Sequence, residues 1–246
     1  MSARTLIITG MHRSGTSLIA SVYQMAGVDI GEILVKPHND NPKGYFEDID
    51  FVNFHKEIAY GLKLYTGKNI NITNDMHSKA LRLVTSKRKT KIWGWKDPRT
   101  TLFLNMWDKI LDNPRYIFVY RSPFFVIDSL FRRKTDKWLM INPFLAAISW
   151  INYNKRIIDF YEKQENNCVI INLDDFIKNT TSIFNIISEK LNIKLNLDKQ
   201  KYNNIFDEKL LKNREIYCKR TNLVSGLYLK DIIEINEKLN KYRVLS

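Results

Sequence analysis

Residues Thr5–Leu18, TLIITGMHRSGTSL, constrain the fold more than any other stretch of the chain. Leu6, Ile7 and Ile8 form a short apolar run between the β-branched Thr5 and Thr9, which suits a strand covered on both faces of a parallel sheet. Gly10 and Gly15 bracket the loop that follows, where glycine permits the left-handed backbone and the close approach of a tight turn. Thr16–Ala26 then reads as a helix, with Gly27 just past its end. A loop whose backbone N–H groups lead into a helix N-terminus is an anion site, because unpaired donors and the helix dipole face the same ligand.

The spacing narrows the anion. Four residues separate Gly10 from Gly15, and Thr16 and Ser17 follow, so the stretch matches G-x-x-x-x-G-K-[ST] with Thr16 in the lysine position. That lysine reaches the β and γ phosphates of a nucleoside triphosphate. Its replacement argues against ordinary ATP chemistry and leaves the phosphate cradle intact. Arg13, inside the loop, can supply the cation as a planar, bidentate donor. The competing reading is a strand-turn-helix with a glycine-rich turn and no ligand.

A chain of 246 residues with 44% hydrophobic content is large enough for one α/β domain with a real core. The net charge of +13 suits an anionic ligand, an acidic polymer or an anionic membrane surface, and does not choose among them. Cys168 and Cys218 form no C-x-x-C pair, so neither a disulfide framework nor a thiolate metal site is expected. Met1–Arg4 runs straight into the first strand, and no apolar run approaches the length of a membrane span. The expectation is a cytoplasmic protein with no leader and no transmembrane segment, peripheral membrane contact being left open.

Further along, Lys36–Asp48 is a long loop rich in turn formers. In it Glu47 follows Tyr45-Phe46, and a carboxylate against aromatic walls can act as a general base. The equal alternative is an acid at the N-terminus of the helix that begins near Asp48. Residues 61–90 are polar, with a helix around Ser78–Ser86. Ile92–Trp95 reads as a strand stopped at Asp97-Pro98, with Lys96 and Arg99 at its carboxyl end and a helix over Thr100–Leu111. If the sheet is parallel, those two cations face the same crevice as Arg13. Tyr116–Tyr120 is another buried strand, Arg121 falls at its end, and Pro123 precedes a helix over Phe124–Lys134. Ser129 lies eight residues after Arg121, so both can converge on one phosphate. A long amphipathic helix follows over Pro143–Gln164, with Trp150 as core rather than a stacking platform. Cys168–Leu173 is a fourth strand, left through Asp174-Asp175-Phe176. Helices follow at Thr180–Leu191 and Leu227–Tyr242. No repeat or linker divides the chain. The expected architecture is a single domain, 1–246, with a P-loop-like α/β three-layer sandwich, a central mostly parallel sheet flanked by helices, and a helical part at about 193–246.

Several of these stretches resemble the sulfotransferases that use 3′-phosphoadenosine-5′-phosphosulfate (PAPS), in particular bacterial-type members. Gly10–Ser17 is similar to their 5′-phosphosulfate loop. Tyr120-Arg121-Ser122-Pro123 through Ser129 is similar to their 3′-phosphate motif, with the same arginine-to-serine spacing. Asn41–Glu47 and Gly94–Arg99 resemble segments of bacterial members, and Asn172–Phe176 resembles the family's strand-exit segment. The resemblance covers about residues 5–192. It implies that Arg13, Ser14, Gly15, Thr16 and Ser17 hold the 5′-phosphosulfate and that Arg121 and Ser129 hold the 3′-phosphate. It implies that Lys96 faces the transferring group and that Glu47 is the base. Cytosolic members carry a lysine where this chain has Arg13, and a histidine base that finds no clear match here, so His12 and His55 stand beside Glu47 as base candidates. The Lys219-Arg220 pair could replace the family's C-terminal phosphate contact.

The implied reaction moves a sulfuryl group from PAPS to a hydroxyl or amine of a small-molecule or glycan acceptor, a saccharide or glycolipid by family tendency. No metal and no nucleic acid are expected. The rivals are a nucleotide-dependent kinase on the same fold and a basic nucleic-acid-binding protein. Thr16 counts against the first, and arginines gathered at strand ends count against the second.

Overall fold

A computed structural model describes residues 4–38, 41, 43–87, 90–133, 136–198 and 217–245. The chain opens with β1 (Arg4–Gly10), whose residues after Arg4 are all buried, and α1 (Thr16–Met25). After the long loop come α2 (Ile49–Ile58), the short α3 (Leu62–Thr66) and α4 (Asn74–Lys87). β2 (Ile92–Lys96) leads into a 3₁₀ turn, Pro98–Phe103, and α5 (Leu104–Ile110). The sequence reads one helix over Thr100–Leu111. Pro98 at the first helical position and the Asp97 side chain, which accepts from Arg99 N–H, set a tighter first turn instead.

β3 (Arg115–Tyr120) is followed by α6 (Pro123–Arg132), α7 (Lys137–Ile141) and the long α8 (Leu145–Gln164). Lys134, the expected end of α6, lies outside the described residues. β4 (Cys168–Asn172) ends one residue earlier than the apolar run implies. The Asn172 side chain accepts from Asp174 and Asp175 N–H, so Leu173 starts α9 (Leu173–Lys178). α10 (Thr180–Lys190), α11 (Lys219–Leu227) and α12 (Leu229–Tyr242) complete the described chain. The single terminal helix expected over Leu227–Tyr242 starts at Leu229, Leu227 closing the separate α11 and Tyr228 standing between them.

All four strands are parallel, in the order β2-β1-β3-β4. The chain leaves β1 for β2 on one side and then crosses to β3 on the other. The carboxyl ends of β1 and β3 therefore flank a switch point, where ligands of open α/β sheets bind. Strand pleating divides the core. Ile7, Trp93, Trp95, Tyr116 and Phe118 face a largely aromatic layer with α2, α5 and α8, while Leu6, Ile8, Ile117, Val119 and Ile171 face α1, α9 and α10. Two glycines let the backbones approach. A Cβ on Gly94 would stand 1.7 Å from the Leu6 carbonyl oxygen, and one on Gly10 2.1 Å from that of Val119. At the strand ends, Thr9 Oγ1 donates to the Asp97 carbonyl at 2.8 Å and pairs with Thr101 Oγ1 at 2.8 Å. This ties the loop after β1 to the turn after β2.

Candidate active site

The loop after β1 is strained where its charge sits. Arg13 takes φ 71° and Gly15 φ 89°, and a Cβ on Gly15 would press into the Leu173 side chain at 2.4 Å. A non-glycine residue in the left-handed region is a marked backbone, of the kind that gathers at ligand sites. Leu18 and Ile19 N–H close onto the Gly15 carbonyl, so α1 begins directly from the loop. Ser14 Oγ is buried and has no hydrogen-bond partner among the described residues. Ser14 N–H donates to the Met11 carbonyl at 3.1 Å, and an orphaned hydroxyl in a loop that opens a helix N-terminus fits an anion there.

His12, Arg13, Gly15, Thr16, Ser17, Glu47, Lys96, Arg121 and Ser129 line one cleft of about 260 Å³. Arg13 Nε donates to Ser129 Oγ at 2.9 Å, so the first loop and the α6 serine meet although 116 residues separate them. Arg121, at the end of β3, lies with its guanidinium carbon 4.4 Å from the Phe125 ring centre and pairs with Asp174 at 3.0 Å. Ser17 Oγ donates to the Tyr45 carbonyl at 3.1 Å, which fastens the long loop over the helix N-terminus.

A buried charge cluster forms the other wall. Lys96 Nζ donates to Glu47 Oε1 at 2.6 Å, and both side chains are almost wholly buried. Arg99 reaches Glu47 Oε2 at 3.5 Å and Asp97 Oδ1 at 2.7 Å. Burial would raise the Asp97 carboxyl, but Arg99 and then His55 overcome it and hold that carboxyl well below the usual range. Asp48, not Glu47, caps α2 by accepting from Asp50 N–H, so the helix-acid role falls to the neighbour and Glu47 turns into the cleft.

The histidines separate. Trp107 Nε1 donates to His55 Nε2 at 3.0 Å, so the proton of a neutral ring lies on Nδ1, which donates to Asp97 Oδ2 at 2.8 Å. Buried and bonded on both nitrogens, His55 positions Asp97 and is not part of the cleft lining. His12 does line the cleft. Loss of hydration, then Arg99 and Lys96, lower its pKa to about 3, so its ring is neutral near pH 7.

No protein-family model and no curated protein matches the chain. Solved structures do. The sulfotransferase domain of the Synechococcus PCC 7002 olefin synthase aligns with TM-score 0.57 at 14% identity, over 97% of this chain and 95% of that one. Sulfotransferase STF9 from Mycobacterium avium aligns with TM-score 0.60 at 13% identity, over 100% and 78%. The chain has the sulfotransferase fold. The sulfotransferase domain of the curacin biosynthetic pathway agrees, with TM-score 0.54 over 93% and 98%.

Within the sulfotransferase fold, residues beyond the expected set line or border the cleft, while Ser14 is not among the lining residues. Arg133 lines it one helical turn beyond Ser129. Asn41 lines it too and spans Ser17 Oγ and the Gly44 carbonyl. Asp174 pairs with Arg121 across two strand ends, a contact that exists only because β3 and β4 are neighbours. The four-residue step from Ser129 is a signal that could have singled out Arg133. Arg99 is not among the lining residues and braces Glu47 and Asp97 instead. Arg220 donates to the Leu139 and Met140 carbonyls and packs over Phe131, outside the cleft lining.

Proposed function

We propose that the cleft binds PAPS and moves its sulfuryl group to a hydroxyl or amine of a small-molecule or glycan acceptor, such as a saccharide or glycolipid. The observation that carries this reading is the Arg13–Ser129 hydrogen bond. It joins an anion loop to a second cationic and hydroxyl cluster in one cavity, as a nucleotide substituted at both 3′ and 5′ requires. A triphosphate needs only the first.

In this reading the N–H groups over Gly15–Ser17 and the Arg13 guanidinium hold the 5′-phosphosulfate, and the buried Ser14 hydroxyl, unpartnered among the described residues, gains a bond. Arg121 and Ser129 hold the 3′-phosphate. The acceptor oxygen attacks sulfur in line, the new S–O bond forms, the S–O bond to the phosphate breaks, and adenosine 3′,5′-bisphosphate leaves. Negative charge grows on the leaving oxygen, where Arg13, Lys96 and the loop donors stabilise it. One such donor is typically worth on the order of 10²–10³ in rate. Glu47, steered by Lys96 and Arg99, takes the acceptor proton.

Titration calorimetry with adenosine 3′,5′-bisphosphate, ATP with Mg²⁺ and single-stranded DNA tests the reading. The bisphosphate should bind tightest. Arg121→Ala should weaken it by about tenfold or more, the scale of a lost charge-assisted contact. Asp174→Asn should tighten it, because Arg121 loses a competing anion. Unchanged bisphosphate affinity in Arg121→Ala overturns the 3′-phosphate assignment, and preference for ATP or DNA overturns the reading as a whole.

A further inference from the structure

One face of the molecule combines exposed apolar side chains with described segments that carry no Asp or Glu. On α7, Trp138, Met140 and Ile141 are exposed, Ile141 by 78%. On α11, Leu223 and Leu227 are exposed and lie three and seven residues after Arg220, on the same side of the helix. Arg220 donates to the Leu139 carbonyl at 3.1 Å, which brings that side of α11 against α7. The turn before α3 adjoins Trp138, whose ring would stand 3.4 Å from a Cβ on Gly61, and Tyr60 beside it is exposed. These three elements form one patch.

The segments that carry the patch are rich in cations. Segments 58–73, 137–158 and 216–230 contain no Asp or Glu, while they carry Lys63, Lys68, Lys137, Lys155, Arg156, Lys219, Arg220 and Lys230. Glu57, Asp159, Glu215 and Asp231 border these segments as well, and Asp136, at the start of α7, is half-buried. It accepts from the Tyr65 hydroxyl and from Trp138 and Leu139 N–H. Lys155 lines a groove between α8 and α12 together with Asp159, Asp231 and Glu234. Soluble surfaces seldom leave so many large apolar side chains together. A protruding Trp, Met, Ile and Leu cluster ringed by Lys and Arg matches the two forces of interfacial binding, apolar insertion and attraction to anionic headgroups.

We infer that the α3–α7–α11 face docks on an anionic lipid surface. Among the described residues no helix is long and apolar enough to cross a membrane, and this contact is peripheral. It holds independently of the sulfuryl-transfer reading, since vesicle binding requires no cosubstrate.

The test is co-sedimentation of the full chain with vesicles of phosphatidylcholine and phosphatidylglycerol, against vesicles of phosphatidylcholine. Binding should favour the anionic vesicles, fall with added salt, and drop at least about tenfold in Ile141→Glu and in Leu223→Glu. Both positions are exposed, so both variants should keep the wild-type circular dichroism. Trp93, Trp95, Trp107 and Trp150 are fully buried, so a blue shift of tryptophan emission on adding vesicles reports Trp138. Equal binding to neutral vesicles, or full binding by both variants, overturns the proposal. So does a concentration-dependent dimer that Ile141→Glu dissolves in the absence of vesicle binding, which would make the face a contact between two copies.

Discussion

Glu47 and Lys96 carry opposite charges out of water together, 2.6 Å apart. Breaking such a pair from one side typically costs 3–5 kcal/mol, whereas replacing both partners by apolar groups is often near neutral. Lys96→Met should therefore lower unfolding stability by at most about that amount in urea titrations, since Arg99 still reaches Glu47 at 3.5 Å. Adding Glu47→Leu should recover most of it, and under the proposed sulfuryl transfer the activity should stay abolished. Recovery of transfer by the double variant would remove both residues from the chemistry. His12 gives the pH dependence. Below about 6.5 the unfolded ring takes a proton that the folded ring does not accept until about 3. The unfolded state then binds more protons, so stability falls as pH drops through that window. Asp97 acts in the same direction further down, its contribution being lost as pH falls through its lowered folded value. Chemical denaturation across this range should show the loss, and His12→Gln should flatten its upper part. Neither effect was legible from residue order. Glu47 as base or helix acid stayed open because the deciding contacts come from β2, about fifty residues away. His55 looked available until Trp107 and Asp97 closed on both its nitrogens.

Among the elements, strands were the most legible, because period and β-branching are local and their burial on both faces leaves little ambiguity. Helix starts were less so. The 3₁₀ turn at Pro98 and the early end of β4 depend on side-chain caps from Asp97 and Asn172. The short α3 and α7 are marginal by themselves and hold through packing on α8 and the cap from Asp136. Glycines separate local from tertiary demand. Gly94 has ordinary strand backbone, and only the Leu6 carbonyl forbids a side chain there. Gly226 meets nothing within 4 Å and sits inside α11. Gly94→Ala should destabilise sharply or prevent folding. Gly226→Ala should stabilise by about 0.5–1 kcal/mol, the helix cost of glycine. Thermal unfolding of the two variants checks both, and a tolerated Gly94→Ala would contradict the strand register.

At the scale of the whole molecule, the order β2-β1-β3-β4 decides what the loops can do together. Parallel strands put the ends of β1, β2 and β3 on one edge, so Arg13, Lys96, Arg121 and Ser129 share a cleft. The sequence by itself determined the strand-loop-helix cradle, the likeness of its two phosphate motifs to those of sulfotransferases, and the α/β class. The cradle and the class follow from spacing and periodicity within short windows, which fix local backbone and helix ends, and the likeness is a resemblance of residues within the same windows. Tertiary structure alone decided that Arg13 bonds Ser129, that Asp174 opposes Arg121, that His55 is held by Trp107 and Asp97, and that α3, α7 and α11 bring exposed apolar side chains together. Those outcomes depend on which strands and helices become neighbours. That is settled by the burial of apolar area over the whole chain, to which no short window has access.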